Sequence, residues 1–145
     1  MLRSISIGAV AALVLVLAIA PSAVSADVPR TVNVAGVVSG PSGTVDLQAR
    51  AAGGDGLEGT GVGFHREFSS RASFVLQGSV TGSVVTLSGT VSKARFGCLV
   101  GTPVTVRADG STGSIVHSLG PIGCPGPLAG QTLAFVGQGT VVVNG

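Results

Sequence analysis

The sequence predicts an all-β protein: a small antiparallel meander barrel, with a Greek-key β-sandwich as the alternative, preceded by a signal-peptide helix. Three observations predict it. Apolar and hydroxyl-bearing residues alternate with period two after about Thr31. Glycine-containing turns break that alternation at short intervals. Beyond the N-terminal segment, no stretch repeats with the 3.6-residue period of a helix.

The first 26 residues, MLRSISIGAVAALVLVLAIAPSAVSA, have the pattern of an export signal. Arg3 supplies a positive start, Ile5 to Ala20 is apolar, and Val24-Ser25-Ala26 places small residues at a signal-peptidase site. The apolar run of 16 residues is shorter than the roughly 20 that a spanning helix needs. Cleavage is expected after Ala26, leaving one all-β domain over residues 27–145. No later stretch is apolar for long enough to span a bilayer as a helix. The expected location is extracytoplasmic, either secreted or held in the cell envelope.

Thr31 to Val38 and Thr44 to Arg50 are expected to pair around Ser39-Gly40-Pro41-Ser42-Gly43. Ala51 to Gly56, AAGGDG, is expected to be a flexible loop, and Gly61 to Phe68 the next strand. The clearest hairpin is Ala72 to Ser92. Phe74, Leu76 and Val80 share a face with Val85, Leu87 and Val91 across a turn at Thr81-Gly82-Ser83, while Ser and Thr take the other face. Pro103 to Ala108, Gly113 to Ser118 and Leu133 to Val143 complete the set. The segment 121–130, PIGCPGPLAG, is too broken by Pro and Gly for a regular element. The two hairpins share a similar Gly-punctuated pattern, readable either as a repeat or as common hairpin chemistry.

Residues 27–145 carry seven Lys and Arg against six Asp and Glu. That balance supplies no dense positive field, so nucleic acid is not an expected partner. Cys98 and Cys124 are the only cysteines. In an exported chain they are expected to form a disulfide that ties the Pro/Gly loop, with Pro125 and Pro127, to the segment around Phe96. Without Cys-x-x-Cys spacing, neither redox nor zinc chemistry is expected from them.

No Gly-x-Ser-x-Gly nucleophile elbow occurs. His65 and His117 are the only histidines, and both fall in expected strands. Alternation would put His65 and Glu67 on one face, a pair with the types needed for a metal or acid/base site, which His117 would complete. Nothing in the pattern shows that it does, and neither a cofactor nor an enzyme activity is expected. A mixed-sign cluster, including Arg50, Glu58, Arg66, Glu67 and Arg71, reads first as a solvated sheet face and second as a docking surface. The five Phe residues, Phe64, Phe68, Phe74, Phe96 and Phe135, are expected to fill the core of a chain with no Trp or Tyr.

The leading functional expectation is a non-enzymatic secreted or cell-surface domain acting by contact with an extracellular macromolecule. Its surfaces would be the charged cluster and the Pro125/Pro127 loop. The alternative is a barrel that carries a small apolar molecule, lined by Phe74, Leu76, Val85, Leu87 and Phe135. A continuous apolar cavity of roughly 300 Å³ or more would separate the two.

Overall fold

The computed structural model describes residues 28–145. The expected export signal, residues 1–26, lies outside them. Eight strands form a closed antiparallel barrel in which each pairs with its neighbours in sequence and the last pairs with the first. They are β1 (Arg30–Gly40), β2 (Gly43–Gly53), β3 (Leu57–His65), β4 (Ser70–Thr81), β5 (Val84–Ala94), β6 (Pro103–Asp109), β7 (Ser114–Leu119) and β8 (Leu133–Asn144). A single 3₁₀ turn, Gly97–Leu99, interrupts the β5–β6 connection. The meander barrel is therefore the fold, and the Greek-key sandwich is not.

Alternation determines what each strand buries. On β5 the row Val85, Leu87 and Val91 is at most 1 % exposed, while Thr86, Ser88 and Thr90 face out. The same logic buries Val32, Val34 and Val38 on β1, and Val104, Val106 and Ala108 on β6. A register shift between Ser73 and Phe74, opposite Lys93 and Val91, marks a bulge at Ser92. It lets β5 continue to Ala94, beyond the expected end at Ser92, and the Ser92 hydroxyl donates to the Ser73 carbonyl at 3.2 Å.

Three expectations need correction. Half of the segment expected as a loop from Ala51 is strand: Ala51 is buried on β2, which pairs with β1 as far as Gly53 and with β3 as far as Ala52, and 54–56 turn. β3 correspondingly starts at Leu57 and stops at His65, so Phe68 belongs to the following turn. Its inward positions are Leu57, Gly59, Gly61, Gly63 and His65, which places Phe64 on the outer wall. Of the five Phe residues only Phe74 and Phe135 enter the core, and Phe68 and Phe96 are about half exposed on loops.

Inward glycines let the wall curve. A Cβ at Gly89 would run into the Val75 carbonyl oxygen, and one at Gly59 into that of Arg50. Neighbouring backbones thus approach where no side chain stands between them, which is how Gly is used in strongly bent strands.

Candidate functional site

The two ends of the barrel differ. At one end the connections are tight turns at 54–56, 82–83 and 110–113, and the interior is filled by Val32, Leu57, Leu76, Val85, Leu87, Val106 and Ile115. At the other end two connections are long, 95–102 and 120–132, beside shorter turns at 41–42 and 66–69. Here three inward residues are small: Gly63 on β3, Ser70 and Ala72 on β4. An eight-stranded barrel has room for its side chains or for one small ligand. Small residues at this end leave a cavity of about 420 Å³.

Phe74, His117 and Phe135 separate the cavity from the packed half. All three line it and are at most 2 % exposed. His117 stacks on Phe135, with ring centroids 5.5 Å apart and planes at 23°, and lies 5.7 Å from Phe74. The walls are Val45, Leu119, Leu133 and Ala72, and the two long loops rise over them with Phe96, Leu99, Ile122, Pro125, Pro127 and Leu128. A disulfide joins Cys98 to Cys124 across those loops, and both cysteines contribute to the lining. Closing a loop of 26 residues contributes about 3.5 kcal/mol by chain entropy. The 120–132 loop also binds itself: Ile122 N–H donates to the Gln131 carbonyl, Gly130 N–H to that of Ile122, both at 2.8 Å, and the Gln131 amide to that of Pro127 at 2.9 Å. A loop so tied holds a fixed shape at the mouth.

The polar groups on this lining are few: His117, His65 and Ser70, with no Lys, Arg, Asp or Glu. His117 Nδ1 lies 3.0 Å from the Thr105 carbonyl oxygen, and burial pushes its pKa below the ordinary 6.5, with the carbonyl bond opposing. His65 sits at the rim, its ring 4.6 Å from Phe68 and 6.1 Å from Phe135. Its Nε2 is 3.5 Å from the Ser42 hydroxyl. Its Nδ1 is buried without a hydrogen bond, although Glu67 Oε2 lies 3.5 Å away, within ion-pair distance. His65 and Glu67 thus do meet, but around a turn and not along a strand face. Glu67 does not line the cavity. Among the described residues no three His, Cys, Asp or Glu side chains gather as a metal would require.

The charged cluster lies elsewhere, on the outer wall of β2–β4 and the 66–69 turn. Arg66 donates to both carboxylate oxygens of Asp46, at 2.8 and 2.6 Å, and that bond holds Asp46 below the usual carboxylate range. Glu67 accepts the Thr44 N–H at 2.8 Å, which lowers its pKa as well. These three charges are spent on the barrel itself. Arg50, Glu58 and Arg71 are exposed and take part in no ion pair among the described residues. Pro125 and Pro127 join the cavity mouth and not a separate surface. Of the lining expected for a carrier, Phe74 and Phe135 face the cavity, whereas Leu76, Val85 and Leu87 lie in the packed half.

Alternation finds Phe74 as an inward residue and composition assigns Phe135 to the core, while the inward placing of His117 is read from the structure. Alternation cannot find the rim: Leu99, Ile122 and Leu128 lie on loops with no periodicity, and the only signal for them is the cysteine pair beside them. Among the described residues no helix is long and apolar enough to cross a membrane. Comparison with protein-family models, with curated proteins and with solved structures finds no match to this chain.

Proposed function

We propose that this protein binds and carries a small apolar molecule in the open half of its barrel, without catalysing a reaction on it. The observation that supports this is the cavity of about 420 Å³, lined by apolar side chains with three polar exceptions. Small-molecule sites have this character: concave, mostly apolar, several hundred Å³, with a few placed polar groups. Contact with a macromolecule through the charged cluster ranks lower, because Asp46, Arg66 and Glu67 are engaged with the barrel's own groups. The disulfide fits an oxidising compartment, and we infer action outside the cytoplasm, in the medium or the cell envelope.

The test is a fluorescence titration with the neutral probe N-phenyl-1-naphthylamine. Wild-type protein should give saturable enhancement with one site per chain. Ala72→Phe places a ring in the cavity and should weaken binding about tenfold or more by excluding the probe, while leaving thermal stability unchanged or higher. Unsaturable enhancement, or equal affinity in the filled variant, would refute carriage in this cavity.

A further inference from the structure

We infer that the natural ligand is a neutral apolar molecule bearing a hydroxyl group, an alcohol or phenol, whose O–H donates to His117 Nε2. This rests on the carrier function proposed above and specifies the chemistry of its ligand. The geometry starts at Thr105. A carbonyl oxygen only accepts, so the ring nitrogen 3.0 Å from it, His117 Nδ1, must be the one that carries hydrogen. In a neutral imidazole the other nitrogen, Nε2, is then a bare acceptor. Thr105 lies on β6, in the wall beside His117, and the bond turns the Nδ1 edge of the ring toward that wall. The Nε2 edge is left toward the cavity that the ring lines, and no donor among the described residues bonds to it.

An acceptor in an apolar cavity selects for a donor. A ligand that fills the space without an O–H leaves Nε2 desolvated and unpaired, and discrimination against such analogues is strong at sites of this kind. Acids are disfavoured on a separate ground. No Lys or Arg lines the cavity, so a carboxylate or phosphate would lose its water and gain no counter-charge. Burial keeps His117 neutral at physiological pH, which removes the imidazolium as a substitute. The flanking rings, Phe74 and Phe135, offer the ligand's body flat apolar surfaces beside the acceptor.

Two ligands of nearly the same shape test this: 2-naphthol, which donates, and 2-methoxynaphthalene, which does not. Both are titrated into the intact protein by calorimetry. Naphthol should bind about tenfold more tightly to the wild type, the ratio expected of one hydrogen bond made in place of none. In His117→Phe the two should bind alike, because neither then meets an acceptor. A wild-type measurement independent of that variant's folding is the ¹⁵N resonance of His117 Nε2, which should move upfield with naphthol and not with the ether. Equal affinities in the wild type, a preference that survives in His117→Phe, or an Nε2 resonance indifferent to naphthol would each overturn the inference and leave carriage standing. Failure of both ligands to bind would overturn carriage as well.

Discussion

His117 is a buried base whose proton balance is set by its surroundings. Desolvation lowers its folded pKa below 6.5, against the partial opposition of the Thr105 carbonyl. The unfolded chain therefore takes up a proton near pH 6.5 that the folded protein still refuses. The stability linked to this group is present in full above pH 6.5 and is lost as pH falls from there through the lowered folded value. Urea denaturation of wild type and His117→Phe between pH 7.5 and 5 should show the wild type losing stability more steeply; parallel slopes would contradict the burial. The carboxylates do not confuse this window. Asp46, held by Arg66, Glu67, held by the Thr44 N–H, and Asp109, held by the Ser111 and Ser83 hydroxyls, all have lowered pKa values. Their contributions are present above the ordinary carboxylate range and fade as pH falls through the lowered values. At this scale the sequence shows the cysteine pair, which follows from composition, whereas the inward placing of His117 comes from the structure. The phase of β3 stays hidden because its inward residues are glycines, and a pattern of apolar side chains points to Phe64 instead.

Strands in this chain are recognisable where large and polar residues alternate, and obscure where Gly and Ala stand in for large ones. β4 and β5 declare themselves through Phe74, Leu76, Val85 and Leu87. The end of β2, Ala51-Ala52-Gly53, resembles a loop in sequence and becomes strand through its pairing with β1 and β3, a tertiary effect that overrides local propensity. The inward glycines carry a cost for substitution that local sequence does not reveal. Gly89→Ala would force a methyl group against the Val75 carbonyl and should destabilise the barrel by about 1–3 kcal/mol, as overpacking does. Gly97→Ala, on the 3₁₀ turn with nothing within 4 Å of its Cβ, should change stability by less than about 0.5 kcal/mol. Thermal or urea denaturation of the pair checks this, and similar values for the two would contradict the close approach of β4 and β5.

Closure is the property of the whole molecule that makes its interior available. β8 pairs with β1 from Thr31↔Asn144 to Ser39↔Val136 and with β7 from Ser114↔Gln138 to Leu119↔Leu133, so every described strand has a partner on both sides, which limits edge-to-edge association. A closed wall separates inside from outside, and the distribution of large side chains then divides the inside into a packed half and a hollow half. Strand count and hairpin order are largely legible in the sequence, because every turn but 66–69 carries or adjoins a Gly signal. The hollow is not, because volume depends on which inward positions fall side by side in the wall: Gly63 beside Ala72 on the neighbouring strand leaves space that neither residue announces alone. The most direct test is a methyl NMR titration with N-phenyl-1-naphthylamine. Resonances of Leu119, Ile122 and Leu133 should shift on binding while those of Val85, Leu87 and Val106 stay in place. Shifts confined to outer-wall methyls such as Val75, Val116 and Val136, or no shifts at saturating probe, would contradict a ligand held inside the barrel.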